Sequence, residues 1–460
     1  MYMYRQKIED LKAWQKSPHR KPLIVRGARQ VGKTELIREF GRTQYRQTAY
    51  VNLDNNSRMA ALFDGDFDVN RLIQGLKAET NVDIEPDSTL IVLDEIQEIP
   101  KALTALKYFC ENTPQYHIVV AGSLLGVATH QGVSTHQGVS THQGVSTHQG
   151  VSFPVGKVDY LELAPLSFRE FLLALGEKHL VEMITSPSVD QELLASFHDR
   201  LIDYIKTYCY VGGMPEVVAS YAEQRSWNEV RRIQNNILFD YANDFSKHTP
   251  EASFARRIEQ VWRIIPSQLA KENAKFVFGM IRAGARAKEY ELALAWLEEA
   301  GLVRRVNRLE APRIPIVSYA NASAFKLYHL DVGLLAAMVR LDERVLLEGN
   351  QVFTEFRGSL AEQLALQELQ VDGGLDVCYW AMDGQSRAEV EFIVQTGSQI
   401  VPVEVKSGTN LRAKSLAVYM NKYQPRLAVR SSVANYKKTD NLYDVPFYLL
   451  NNFFQNIQKY

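Results

Sequence analysis

Cysteine is scarce in this chain. Only Cys110, Cys209 and Cys378 occur among 460 residues, too far apart to share a ligand motif, which argues against a disulfide framework and against a cysteine-rich zinc module. Long apolar runs are also missing: none approaches the roughly 20 residues a membrane-spanning helix needs. Charge of one sign is missing too, since 52 basic residues face 53 acidic ones for a net charge of −1. The molecule as a whole therefore has no electrostatic bias toward nucleic acid or an anionic membrane, and any such binding must be local. The opening "MYMYRQKIEDLKAWQKS" is charged throughout, so the expectation is a cytoplasmic protein with no membrane partner.

What is present is hydrophobic content of 46% over a length that exceeds one core. Such a chain divides into two to four domains. The strongest local signal is "PLIVRGARQVGKTELIREF". An apolar strand at Leu23 to Val25 runs into Gly27-Ala28-Arg29-Gln30-Val31-Gly32-Lys33-Thr34 and then into a helical pattern, which is a Walker A loop in its structural context. Its glycines let backbone N–H groups of residues 27 to 34 and the helix N-terminus face phosphate oxygens. Lys33 would reach the β- and γ-phosphates, and Thr34 would ligate Mg²⁺.

A second strand, "STLIVLDEIQEIP", is continuously apolar and ends in Asp94-Glu95, the pattern of a Walker B motif. Asp94 is expected to hold Mg²⁺ and Glu95 to polarise the attacking water. A third strand, "HIVVAGS", ends at Ser123, a polar side chain able to sense the γ-phosphate. Together these predict binding and hydrolysis of ATP with Mg²⁺ as cofactor.

The order of these three elements resembles the AAA+ ATPase superfamily. With "YVNLD" at 50–54, "AGSLLG" at 121–126, "SFPVGKVDYLELAPLSFREFL" at 152–172 and "GGMPE" at 212–216, the chain looks like the prokaryotic AAA-type ATPases that carry an uncharacterised carboxy-terminal domain. "PSQLAKENAKF" and "FKLYHLDVGLLAAM" continue the likeness downstream. In related signalling ATPases the Gly-Gly-x-Pro turn lies by the adenine, so the resemblance implies that Gly213 and Pro215 contact the base. It also implies an arginine acting in trans, for which Arg169 is a candidate, and it leaves an oligomer open.

Between Ser123 and "SFPVGK" a six-residue unit recurs four times from Gly126. Removing three units leaves the continuous "GSLLGVATHQGVSFPVGK", so tandem duplication inside a surface loop is the expectation. His130, His136, His142 and His148 invite a metal reading, but neighbours six residues apart on an extended strand lie roughly 20 Å from one another. One ion cannot bridge them without the chain folding back.

The rest divides by periodicity. The expected plan is multidomain α/β: a P-loop NTPase core with a parallel sheet at 1–167, carrying the repeat insertion 126–152; a helical lid at 168–248; a segment at 249–345 resembling a winged helix; and a nuclease-like α/β domain at 346–460. The presumed recognition helix carries Glu289, Glu291, Glu298 and Glu299 against Lys288, a charge that opposes phosphate contact unless Arg282 and Arg286 reach DNA from the preceding loop.

In the last domain, "AEVEFIVQTGSQIVPVEVKSG" reads as a hairpin with a two-residue Gly397-Ser398 turn. That turn pairs Thr396 with Gln399, so the register sets Glu391 opposite Glu404 on one face, with Lys406 on the same face. The helix "FRGSLAEQLALQEL" leaves Glu362 at the edge of its apolar stripe, able to lean over the hairpin. Carboxylates plus a lysine suit a Mg²⁺-dependent phosphodiesterase, and the set resembles the restriction-endonuclease-like superfamily, with Glu391 where aspartate is usual. Glu362, Glu391 and Glu404 are the expected metal ligands, with Glu404 and Lys406 in catalysis. The partners expected are ATP and, for the carboxy-terminal domains, either nucleic acid or a protein. The alternative is a STAND-like switch that uses those domains for protein binding and cleaves nothing.

Overall fold

The computed structural model describes residues 3–122, 154–186, 192–247, 251–271, 275–344, 357–371, 374–382, 388–408 and 412–458. They form two compact units, Met1–Ala164 with Glu299–Gly301, and Pro165–Glu298 with Leu302–Tyr460. Ser123 and the hexapeptide repeats lie outside the described residues.

The first unit is a five-stranded sheet of β1 (Leu23–Arg26), β2 (Gln47–Asn52), β3 (Thr89–Asp94), β4 (His117–Ala121) and β5 (Asp159–Glu162). Its spatial order is β2-β3-β4-β1-β5, and every pair is parallel. Parallel neighbours need crossovers, and the helices Lys33–Gln44, Val69–Thr80 and Pro100–Asn112 stand between successive strands in sequence. Every residue of β3 and β4 is buried, as expected of strands covered on both faces. The ends of β1 and β3 place the two Walker motifs on one edge of the sheet, where ligands of open α/β sheets bind.

The second unit opens with helices Phe168–Ala174, Lys178–Thr185, Ala195–Val211, Pro215–Gln224, Trp227–Lys247 and Ala252–Leu269. The helix Ala287–Glu299 then leads into β6 (Val303–Leu309) and β7 (Ala320–His329), followed by the helices Val332–Met338 and Arg357–Leu369. The remaining strands are β8 (Asp376–Ala381), β9 (Glu389–Thr396), β10 (Gln399–Val405), β11 (Ala428–Ser432), β12 (Lys437–Thr439) and β13 (Leu442–Pro446). All of β6 to β13 join in one eight-stranded mixed sheet, ordered β12-β13-β11-β10-β9-β8-β6-β7.

That sheet crosses the boundary expected at 345/346. The β6–β7 hairpin, where a wing would stand, adds to the carboxy-terminal strands through parallel pairs Asn307 with Cys378 and Arg308 with Tyr379. The β9–β10 hairpin has the expected register: Gln399 pairs with Thr396 and Val401 with Val394. Among the described residues no helix is long and apolar enough to cross a membrane.

Candidate functional site

The loop 27–34 is built by backbone geometry. Gly27 adopts φ +148°, and a Cβ there would lie 2.2 Å from the Leu163 carbonyl oxygen; Gly32 caps the helix Lys33–Gln44 at φ +91°. Both positions need glycine. Ala28 and Val31 are buried, Arg29 is half-buried, and Gln30 is exposed at φ +63°. Arg5 supports the loop from the preceding segment, its guanidinium donating to the carbonyls of Val31 at 2.8 Å and Ala164 at 2.5 Å. Nothing in the sequence marked Arg5, because an arginine 22 residues before the motif carries no spacing signal.

The ammonium of Lys33 donates to the carbonyls of Gly27 at 2.9 Å and Ala28 at 2.7 Å. Burial pushes it down to about 8, against the opposing pull of the Glu95 and Asp94 carboxylates. Thr34 Oγ1 donates to Asp94 Oδ2 at 2.8 Å, and the Tyr50 hydroxyl donates to the same oxygen at 2.7 Å. Arg38 stacks over the Tyr50 ring at 4.8 Å. The other oxygen of Asp94 accepts the Glu95 N–H at 3.0 Å. Glu95 sits in the left-handed region at φ 52°, with its side chain held by Gln97. Lys33, Thr34, Asp94 and Glu95 thus converge, and Tyr50 is an addition.

Residues 19–172 match the family of AAA domains. The first unit carries an AAA-type ATPase domain. Two domains of unknown function follow it, DUF8612 over residues 202–345 and DUF4143 over residues 357–450. Among solved structures, the Walker-type ATPase PABY2304 of Pyrococcus abyssi shares 11% identity, with 74% of this chain and 96% of that chain covered at a TM-score of 0.45. The Aeropyrum pernix ORC1 protein in complex with DNA shares 14%, with 74% and 93% covered at a TM-score of 0.30. The Thermotoga maritima RuvB Holliday junction branch migration motor shares 12%, with 66% and 90% covered at 0.25. No curated protein matches the chain.

In the second unit, Gly213 and Pro215 occupy a turn whose backbone is fixed from two sides. Leu166 and Gly213 pair through a 2.7 Å bond from the Leu166 N–H to the Gly213 carbonyl. The Gly213 N–H donates at 2.7 Å to Asp331 Oδ2, while Asp331 Oδ1 caps the helix Val332–Met338 by accepting from Leu334 at 2.9 Å. Asp331 is fully buried, and burial pushes its carboxyl up to about 6 against these hydrogen bonds. Pro215 begins the next helix, where its missing N–H costs nothing. Gln367 ties the arrangement to the helix Arg357–Leu369, accepting from Val332 N–H at 3.1 Å and donating to the Tyr208 hydroxyl at 2.7 Å.

That same helix carries Glu362 to a cluster of carboxylates. Glu362 Oε2 accepts from the Tyr328 hydroxyl at 2.7 Å and lies 3.4 Å from Lys326 Nζ. Lys326 Nζ pairs with Glu389 at 2.6 Å. Glu391 Oε2 accepts the Val405 N–H at 3.1 Å. Glu404 Oε1 pairs with Lys406 Nζ at 2.5 Å, whereas its buried Oε2 has no hydrogen-bond partner among the described residues. Burial raises the Glu391 carboxyl, reinforced by the charges of Glu404 and Glu362.

The expected Glu362, Glu391, Glu404 and Lys406 share one electrostatic cluster. Lys326, Tyr328 and Glu389 were missed. Among the described residues no group of three or more histidine, cysteine, aspartate or glutamate side chains is placed to hold a metal ion. Glu362 bonds Tyr328 and Lys326 instead. The orphaned Glu404 oxygen beside Glu391 still fits the donor chemistry of a hard cation. In the loop before the acidic helix Ala287–Glu299, Arg282, one of the two arginines that would have to reach DNA, is bonded to Glu289 and Tyr290.

Proposed function

We propose that this chain is an ATP-hydrolysing AAA-type switch whose nucleotide state governs the carboxylate–lysine cluster of the second unit, acting on the phosphodiester backbone of nucleic acid. Lys33 and the loop 27–34 bind the phosphates, Thr34 and Asp94 hold Mg²⁺, Glu95 polarises water, and Ser123 senses the γ-phosphate. In the cluster, Glu391 and Glu404 hold a divalent cation that neutralises charge developing on phosphate, and Lys406 steadies the nucleophile.

The observation that carries the reading is the buried chain of hydrogen bonds within the second unit. It runs from the Gly213 turn through Asp331 to the helix Val332–Met338, then through Gln367 to the helix bearing Glu362. If Gly213 and Pro215 contact the base, a nucleotide that shifts this turn acts directly on Asp331. The coupling would then reach the helix bearing Glu362 through these hydrogen-bonded groups.

The alternative, a STAND-like regulator that binds protein through its carboxy-terminal domains, draws support from the acidic helix Ala287–Glu299 and from Arg282 being engaged by Glu289. One experiment separates the two. ATP turnover of the purified chain is measured with and without single-stranded DNA, duplex DNA and RNA, alongside cleavage of each in Mg²⁺ or Mn²⁺. The switch–nuclease reading expects cleavage that changes with ATP and vanishes in Glu404→Ala while ATP binding persists. Absence of cleavage in wild type and in Glu391→Asp under every condition leaves the protein-binding regulator.

A further inference from the structure

Lys326 is an ammonium in an unusual place. It stands on β7, 1% exposed, on a strand outside the carboxy-terminal family match. A lysine is buried this deeply only when its charge is matched. Here Glu389 on β9 and Glu362 on the helix Arg357–Leu369 supply the match, at 2.6 Å and 3.4 Å, and the Tyr379 ring of β8 covers the ammonium at 5.2 Å. Two carboxylates are therefore already committed to a cation that belongs to the chain.

Resting on the reading of this cluster as a phosphodiesterase site, we propose that Lys326 is a resident cation filling one of two cation positions, so that the site accepts a single divalent ion on Glu391 and Glu404. Two observations independent of the acidic count support this. Among the described residues the Glu404 Oε2 atom has no hydrogen-bond partner, in a residue only 2% exposed, and a buried carboxylate oxygen without a partner is costly unless something occupies it. The Tyr328 hydroxyl and Lys326 both hold Glu362 Oε2, which keeps that oxygen turned toward β7.

Charge agrees with the geometry. Fully ionised, the four carboxylates Glu362, Glu389, Glu391 and Glu404 exceed the two ammoniums Lys326 and Lys406 by two negative charges, which one divalent ion would neutralise, whereas without an ion burial favours a proton on Glu391. Mg²⁺ bound through two carboxylates keeps several waters and takes further oxygens from a substrate phosphate. A second ion would have to displace Lys326 from under Tyr379. Lys326 is thus a positioning residue: it acts through Glu362 and Glu389, fixing which carboxylates remain free.

The test is Mn²⁺ binding to the full chain without nucleotide, counted by equilibrium dialysis and by the Mn²⁺ resonance. Ions at this site are the difference between a chain and the same chain carrying Glu389→Gln and Glu404→Gln together, which cancels any at the ATP site. The expected difference is one per chain. It stays at one in Glu389→Gln, and it rises to two in Lys326→Met, where Glu362 and Glu389 regain free oxygens. If Lys326→Met does not fold, Glu389→Gln decides alone, because a two-ion site would lose an ion there. A wild-type difference of two, a fall in Glu389→Gln, or no rise in folded Lys326→Met overturns the proposal. A wild-type difference of zero overturns it as well, and the cleavage assay then tells whether the phosphodiesterase reading survives without a bound ion or falls with it.

Discussion

Raising pH should weaken ATP binding through Lys33 alone. Burial holds this ammonium down to about 8, whereas a lysine facing phosphates must carry its proton. Binding above that value therefore takes up a proton. The protonated fraction falls from about three-quarters at pH 7.5 to about one-tenth at pH 9, so the apparent Kd should rise by roughly eightfold. The stability of the nucleotide-free protein has the opposite sign. Between about 8 and the ordinary lysine value of 10.5 the unfolded chain holds more protons than the native one, so Lys33 makes stability rise with pH across that window. Fluorescent ATP-analogue titration in Mg²⁺ across pH 7.5 to 9 measures the first effect. Lys33→Arg, which keeps its charge throughout, should flatten it. An unchanged wild-type Kd up to pH 9 would refute the argument, as would the same slope in Lys33→Arg.

Further outcomes follow from the same contacts. Glu95→Gln should keep nucleotide affinity within about twofold while lowering phosphate release by at least about a hundredfold, since it leaves the proposed Mg²⁺ ligands Thr34 and Asp94 in place. Tyr50→Phe deletes one of two donors to Asp94 Oδ2 and should raise the Mg²⁺ needed for half-maximal nucleotide binding by about two- to tenfold; affinity measured without Mg²⁺ should not move. Asp331→Asn turns an amide donor toward either the Gly213 or the Leu334 N–H and should cost about 1–3 kcal/mol in denaturant unfolding. A midpoint equal to wild type would show that the turn is held by other contacts.

The first sheet was legible because its strands carry their own evidence. "LIVR", "TLIVLD" and "HIVVA" are apolar runs with motif residues at their ends, and they form β1, β3 and β4. The hairpin register was legible for a different reason: a two-residue turn leaves only one way to pair β9 with β10. Nothing comparable announces the neighbour of β6. Asn307 and Arg308 pair with Cys378 and Tyr379 across about 70 residues of intervening chain, and alternation tells which face a strand residue takes without telling which strand lies beside it. A helix followed by a hairpin therefore read as a winged helix, although the hairpin extends the carboxy-terminal sheet.

The carboxylate cluster shows the same limit at the level of a single side chain. Glu391, Glu404 and Lys406 could be set on one face by counting from the turn, and Glu362 by helical phase. Lys326 could not, because a charged residue in a strand is ordinarily read as marking the solvent side. In "AFKLYHL" both alternate positions are in fact buried, Phe325 and Leu327 on one side, Lys326 and Tyr328 on the other. Tyr328, two residues on, was the available hint that the face of Lys326 is not solvent-facing, since its ring is fully buried and its hydroxyl reaches Glu362. A lysine sharing its face with a buried tyrosine must find carboxylates, and the chain supplies two, from β9 and from a helix beyond β7. The consequence reaches the chemistry. Glu362, placed by helical phase among the metal ligands, is bound by groups that sequence reading could not see, and the cation it was expected to share is in part already present as Lys326.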